Sequence, residues 1–211
     1  MLTLYSTALS ANGRKVLAVG RHLELDIDVR PVNVYRGEGR HAEYLAINPT
    51  GKIPALVDGD LTLYESNAIL MYLCEAHGGY RLWSREPKPR GRIARWLFWE
   101  SAHWQPTLGT LLSACVGHRL RPDLAPPPAA APDWNAATLA PLLTVLEATL
   151  SASPFLAGDE ISIADFAVAG MTTYFPVANF PFEKYPAFNE WYRRIGMLEA
   201  WRATREPLWS G

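Results

Sequence analysis

The side chains best suited to holding a small ligand are concentrated between residues 48 and 69. Lys52, Ile53 and Pro54 end a turn-rich segment and directly precede a short apolar run at 55–57. A proline at the start of a strand leaves no strand hydrogen bond unmade, and a cis bond before it would give a sharp turn. Such a turn leaves the backbone groups of Ile53 free to pair with an extended, peptide-like ligand.

Glu65 and Ser66 follow the second strand of a predicted hairpin and precede an apolar helical pattern. The N–H groups and the dipole at the start of a helix favour a ligand carboxylate, and the Glu65 carboxylate favours an ammonium group. A ligand with an amino acid head and a peptide body satisfies both preferences. The same residues are also consistent with ordinary turn signals and with an N-cap at Ser66.

The elements that position these residues follow from the hydrophobic pattern. Predicted in chain order are a strand at 2–5, a helix opening at Asn12, a strand at 25–29, a helix at 41–47, a hairpin of 55–57 and 61–63, and a helix at 69–76 ended by Gly78. This βαβ, α, ββα order predicts a thioredoxin-like α/β domain over residues 1–79.

The rest of the chain is predicted to be helical. Residues 80–90 are rich in Arg, Pro, Lys and Trp without periodicity, which predicts a linker. Residues 91–211 then form an all-α domain that begins with a long helix at 91–118, and the proline-rich run at 121–128 must be a loop. Ser162 and Asp165 have the spacing of a helix capping box.

Composition favours a compact protein with a small-molecule partner. The 211 residues are 49% hydrophobic, which supplies a sizeable core, and the net charge is −1. This balance provides no basic surface for nucleic acid and no polybasic membrane signal. The first residues lack the positive start of a signal peptide, which predicts a cytoplasmic location. Cys74 and Cys115 lack Cys-x-x-Cys spacing and are expected to be unpaired structural thiols.

The segments 52–54 and 65–66, in this order and spacing, resemble the glutathione site of cytosolic glutathione S-transferases. Residues 10–16 are similar to the Ser-x-x-x-Arg-x-Val segment of the serine-type, bacterial-like classes. Asp165 is similar to the helix-capping aspartate of the family, so the resemblance covers nearly the whole chain. It implies the glutathione S-transferase fold, with a thioredoxin-like N-terminal domain and an all-α C-terminal domain.

The resemblance implies that Ser10 is the catalytic hydroxyl, which donates a hydrogen bond to the glutathione thiolate. A thiol with a pKa of about 8.5 is mostly protonated at neutral pH, and only the thiolate attacks electrophiles well. Tyr5 is the alternative, because tyrosine-type classes use a phenol near this strand end, and Ser6 and Thr7 are further hydroxyls within reach. A serine at such a position is more commonly a helix N-cap or a loop hydroxyl.

The resemblance also assigns the glutathione-binding residues. Lys52 is expected at the glycyl carboxylate, Ile53 with Pro54 at the backbone pairing, and Glu65 with Ser66 at the γ-glutamyl end. Arg40 and His41 lie beside the place where several serine-type classes have a histidine, so both are candidates for contact with glutathione.

Four residues of the predicted long helix resemble the wall of the family's hydrophobic co-substrate pocket: Trp99, His103, Trp104 and Leu108. Aromatic residues at helical spacing are also typical of a packed core. His103 has no neighbour at metal-ligand spacing, so no metal site is predicted.

These features predict a glutathione transferase, with a role in detoxification, in which glutathione attacks a small hydrophobic electrophile. Two alternatives are a non-catalytic glutathione-binding or structural relative and a glutathione-dependent peroxidase or isomerase. No cysteine occupies the active-site segment, which disfavours thiol–disulfide chemistry. A homodimer is expected because related proteins place Glu65–Ser66 near a twofold interface, although Asn67 stands where the family often has an arginine that reaches towards the partner subunit.

Overall fold

A mixed four-stranded sheet forms the centre of the N-terminal half in the computed structural model, which describes residues 1–7 and 9–209. The strands are β1 (Leu2–Tyr5), β2 (Ile27–Arg30), β3 (Ala55–Asp58) and β4 (Leu61–Tyr64), in the order β2-β1-β3-β4. β2 runs parallel to β1, whereas β3 is antiparallel to β1 and β4 is antiparallel to β3. The parallel pair requires a crossover connection, which α1 (Ala11–His22) supplies.

Two further helices complete this half. α2 (Ala42–Leu45) is shorter than the predicted helix at 41–47, and α3 (Ser66–Ala76) begins three residues earlier than predicted. Gly78, with φ of +76°, follows the end of α3, as expected for a residue without a Cβ atom. The predicted thioredoxin-like fold is confirmed.

The predicted long helix is interrupted by one wider turn. α4 (Pro87–Trp99) continues through a π-helical turn (Glu100–Trp104) into α5 (Gln105–Leu120). Pro106 lacks the N–H that a regular helix needs at this point, so a π-helical turn directly before it accommodates the ring. α4 begins inside the stretch 80–90 that composition predicts to be a linker, and Leu82 and Trp83 of that stretch are buried.

The remaining helices follow α5 along the chain. They are α6 (Ala140–Ala152), α7 (Ile163–Thr172), α8 (Pro186–Met197) and α9 (Glu199–Arg202). Every residue of α7 is buried, and α7 packs against α1 of the sheet domain and against α4, α5 and α8. The two halves therefore share one hydrophobic core. The domain limits 1–79, 80–90 and 91–211 stay a prediction.

The predicted capping box at the start of α7 is confirmed. Ser162 Oγ accepts the Ala164 N–H, and Asp165 Oδ2 accepts the Ser162 N–H at 2.9 Å. Within residues 1–7 and 9–209, no helix is long and apolar enough to cross a membrane.

Candidate active site

A cleft of about 650 Å³ lies between the sheet domain and α5. On the sheet-domain side it is lined by Ser10, Lys52 and Glu65, together with Asn12 and Tyr35. Three residues that are far apart in the sequence and that were predicted to act on one ligand therefore share one cleft. Tyr35 was not predicted, because nothing in its local sequence distinguishes it from other tyrosines.

Ser10 is the N-cap of α1. Its Oγ accepts the Gly13 N–H at 3.2 Å, and the residue is only 7% exposed. The expectation of an N-cap serine is thus correct, and it is compatible with catalysis because a hydroxyl that accepts one hydrogen bond still has a proton to donate. The cap holds the hydroxyl in one place at the edge of the cleft.

Tyr174 holds the backbone on both sides of Ser10. Its hydroxyl accepts the Ala11 N–H at 3.0 Å and donates to the Leu9 carbonyl at 3.1 Å. It also shares a hydrogen bond with Tyr35. Burial raises the pKa of Tyr174, so its phenol stays protonated and able to donate. The sequence carried no signal of this contact, since 163 residues separate Tyr174 from Ala11.

Glu65 has an uncommon backbone conformation directly before α3. Its φ is +70° and its ψ is 107°, a region that residues with a side chain rarely adopt and that is often found at functional sites. The first hydrogen bond at this end of α3 runs from the Ile69 N–H to the Glu65 carbonyl, so the helix itself does not use the N–H groups of residues 66–68. Ser66 is buried, and its Oγ donates to Asn12 Oδ1 at 3.4 Å.

The Ile53–Pro54 bond is cis, as predicted. The preceding carbonyl, that of Lys52, accepts hydrogen bonds from Tyr44 Oη and Asn48 Nδ2, which hold the loop in place. The N–H and C=O of Ile53 make no hydrogen bond to any residue in the described part of the chain. The backbone groups predicted to pair with an extended ligand are therefore available.

Both halves of the chain match models of the same protein family. Residues 4–81 match the model of the glutathione S-transferase N-terminal domain, and residues 114–194 match that of the C-terminal domain. Glutathione S-transferase F10 of Arabidopsis thaliana is 32% identical over 96% of this chain and 95% of its own. Glutathione S-transferase GstB of Escherichia coli strain K12 is 30% identical over 92% of this chain and 93% of its own.

Solved structures show the same likeness. Glutathione transferase F2 of Populus trichocarpa matches with a TM-score of 0.85 and 26% identity over 97% of each chain. A glutathione S-transferase-I bound with lactoylglutathione matches with a TM-score of 0.81 and 25% identity, over 97% of this chain and 98% of that one. The chain belongs to the glutathione S-transferase family. It is a glutathione transferase, and glutathione is its co-substrate.

Three predicted site residues of this glutathione transferase, Tyr5, Arg40 and His41, do not line the cleft. The Tyr5 ring packs against Tyr44, with 6.1 Å between ring centroids, and Tyr5 and His41 border a separate depression. Tyr5, the alternative to Ser10, and His41 do not line the cleft, so their predicted roles stay predictions. Arg40 is exposed and does not line the cleft, so its contact with glutathione stays a prediction.

The other two hydroxyls near the end of β1 do not line the cleft. Ser6 is fully buried, and any side chain at Gly13 would collide with its Oγ. Thr7 Oγ1 accepts the Leu9 N–H at 3.1 Å. Ser10 is therefore the hydroxyl of this segment that lines the cleft.

None of the four residues predicted to form the hydrophobic wall lines the cleft. Trp104 and Leu108 are fully buried in the core, and Trp104 Nε1 donates to the Val168 carbonyl of α7. Trp99 stacks on Trp104, and His103 is exposed outside the cleft. The aromatic face of this helix packs against α7 because that contact removes the most apolar surface from water.

A different face of the same helix lines the cleft. Its residues recur at four-residue intervals and are small or polar: Ser101, Gln105, Gly109, Ser113 and Gly117. Apolar surface comes from Leu112, Val116 and Met171 beside them. The spacing was visible in the sequence, but nothing local indicated that this face and not the aromatic one borders a cavity.

A buried ionic cluster joins the two domains behind the cleft. Lys15 of α1 is fully buried, and its Nζ donates to both carboxylate oxygens of Glu100 at 3.2 Å and to Asn67 Oδ1 at 2.9 Å. Asn67 Nδ2 in turn donates to Glu100 Oε2 and to the Leu97 carbonyl, both at 2.9 Å. Asn67 thus connects the start of α3 to the helical domain of the same subunit.

No group of three or more His, Cys, Asp or Glu side chains that could hold a metal ion is found among residues 1–7 and 9–209.

Proposed function

We propose that Ser10 donates a hydrogen bond to the thiolate of bound glutathione, which then attacks a small hydrophobic electrophile held against α5. The observation that supports this most directly is the position of Ser10 at the cleft edge, fixed by its N-cap contact with Gly13 and by the contacts of Tyr174 with its neighbours. Lowering the thiol pKa by about two units needs roughly 2.7 kcal/mol of preference for the thiolate. A charge-assisted hydrogen bond and the dipole of α1 are together of this size.

The rest of glutathione has matching partners. Lys52 provides a cation for the glycyl carboxylate, and the free backbone groups of Ile53, before the cis Pro54, suit the central cysteinyl residue. The N–H groups at the start of α3, at Ser66, favour the γ-glutamyl carboxylate, and Glu65 favours the ammonium group. This arrangement places the thiol between the two ends of the ligand.

The electrophile site is proposed to be the face of α5 that lines the cleft. Gly109 leaves space beside the helix backbone, and Leu112, Val116 and Met171 offer apolar contact. Such a surface favours a small, apolar electrophile. A role in detoxification follows from this substrate class.

Three variants of Ser10 distinguish its role as the N-cap of α1 from its proposed role as the hydrogen-bond donor to the thiolate. Ser10→Ala removes the cap and the donor, Ser10→Asp keeps a good cap but has no proton to donate, and Ser10→Thr keeps both. Turnover with an aryl halide is expected to fall about ten- to a thousand-fold in the alanine and aspartate variants, with glutathione affinity of the alanine variant within a few-fold. The absorbance of bound thiolate near neutral pH should fall in parallel. Unchanged turnover in Ser10→Ala would refute the proposal.

The same measurements decide between the alternatives. A non-catalytic relative binds glutathione without thiolate absorbance or turnover, whereas a peroxidase or isomerase shows the thiolate but prefers hydroperoxides or enones in a substrate panel. Conjugation predicts that aryl halides or epoxides are the best substrates in that panel.

We also propose a homodimer that uses the exposed side of α3, β4 and α4. Phe98 of α4 is 73% exposed and Tyr64 of β4 is 38% exposed, so each element presents an aromatic side chain that a partner subunit would cover. Light scattering at micromolar concentration should give about twice 23.5 kDa, and Phe98→Asp should lower that mass. A mass of 23.5 kDa for the unmodified protein would refute the dimer. The cytoplasmic location stays a prediction.

A further inference from the structure

A second, smaller pocket lies among α1, α8 and α9, and shares no lining residue with the glutathione cleft. Its volume is about 230 Å³, and four of its lining residues are Arg14, Arg193, Arg202 and Arg205. None of the described residues that line it is Asp or Glu. Four positive charges therefore border a small space to which the described residues of the wall contribute no carboxylate.

Arg14 is a buried guanidinium held in a fixed orientation. It is 7% exposed, its plane lies over the Trp201 ring with 4.1 Å from Cζ to the ring centroid, and it donates to Thr173 Oγ1, Thr204 Oγ1 and the Trp201 carbonyl. A guanidinium has five N–H donors, so two are left after these three bonds. Burial lowers the pKa of Arg14 to about 10; nearby Tyr192 opposes this shift and the charge of Arg205 adds to it, and Arg14 stays charged at neutral pH.

The other three arginines also have no acidic partner among the described residues. The side chains of Arg193, Arg202 and Arg205 make no hydrogen bond or salt bridge to the residues that the structure describes. Arg194, on the same helix as Arg193, behaves differently because it pairs with Glu190 at 2.6 Å. Arg193, Arg202 and Arg205 are exposed, so water screens much of their mutual repulsion, and their guanidinium groups are free to bind a ligand.

We propose that this pocket binds the phosphate group, or a similar dianionic oxyanion, of a small molecule. Guanidinium groups suit tetrahedral oxyanions because their planar N–H groups bind two oxygens at once. The volume is below that of pockets for drug-sized ligands, which fits a phosphate with few attached atoms. An anion that binds this folded arrangement and not the unfolded chain raises the melting temperature of the protein.

The test compares two triple variants that lose the same charge. Arg193→Gln, Arg202→Gln and Arg205→Gln together alter the pocket, whereas Arg21→Gln, Arg81→Gln and Arg92→Gln alter exposed positions outside it. Inorganic phosphate and phenyl phosphate are titrated by calorimetry, and melting temperatures are measured in phosphate and in chloride at equal ionic strength. Circular dichroism and glutathione turnover, which both variants should retain, show that each is folded.

Phosphate should raise the melting temperature of the unmodified protein more than chloride does. The pocket variant should bind at least about tenfold more weakly, a loss of about 1.4 kcal/mol, while the control stays within about twofold. Sedimentation with vesicles of phosphatidic acid or phosphatidylcholine identifies the source of the phosphate: binding of phosphatidic acid vesicles alone, lost in the pocket variant, points to a lipid headgroup. Equal losses in both variants, or no binding of any of these probes by the unmodified protein, would overturn the proposal.

Discussion

Replacing Lys15 by methionine should strongly destabilise the protein and loosen the start of α3. Glu100 is 1% exposed, and both of its carboxylate oxygens lie 3.2 Å from Lys15 Nζ. Methionine fills most of the volume of the lysine stem, so the main loss is the charge partner. Glu100 is then a buried carboxylate with only the Asn67 amide as a donor, and removing one partner of a buried pair costs about 3 to 5 kcal/mol.

A double variant tests whether the lost stability comes from the unpaired charge of Glu100 or from a general disturbance of the fold. Lys15→Met with Glu100→Leu removes both charges, and this should recover most of the lost stability because two apolar residues can replace a buried ion pair at little cost. Asn67 keeps its bond to the Leu97 carbonyl in that variant. The expected interaction free energy between the two sites is about 3 kcal/mol in favour of the double change.

Urea unfolding followed by tryptophan fluorescence measures these free energies of unfolding. Arg21→Met, at an exposed position of the same helix, is the control and should change stability by no more than about 0.5 kcal/mol. Glutathione affinity should fall in Lys15→Met because Asn67 directly follows Ser66. A loss below about 1 kcal/mol, or simple additivity in the double variant, would refute the argument.

Three further predictions follow from other contacts. Asp165→Ala should lower the free energy of unfolding, measured in urea, by about 3 kcal/mol or more, which is above the roughly 1 kcal/mol of a lost cap. The reason is that the change also leaves the buried Leu156 N–H and Trp191 Nε1 without an acceptor. A loss near 1 kcal/mol would contradict this. Tyr174→Phe should lower kcat about tenfold with little change in the KM for glutathione, since it releases the backbone around Ser10, and steady-state kinetics with wild-type values would exclude that role. Burial raises the pKa of Cys74 to about 12, so at pH 8 it is a thiol that should not react with a thiol reagent in the folded protein; mass spectrometry should find Cys115 modified first.

Signals confined to a few residues could be interpreted from the sequence. The N-cap at Ser10, the cis bond before Pro54 and the capping box at Asp165 depend on backbone geometry within three or four positions. The order of strands and helices follows from hydrophobic periodicity in the same local way. These local features were enough to predict the fold and the residues Ser10, Lys52 and Glu65 on the sheet-domain side of the cleft.

Contacts between segments that are far apart in the sequence could be identified only from the tertiary structure. The sequence shows two periodic faces on the helix after Pro87, and only the packing of α7 decides that Trp104 is core and Gly109 borders the cleft. Tyr174 reaches Ala11, and Lys15 reaches Glu100, across separations that no short-range pattern encodes. A hydrophobic pattern states how much surface a helix must bury, whereas the partner that covers it depends on how all helices pack together.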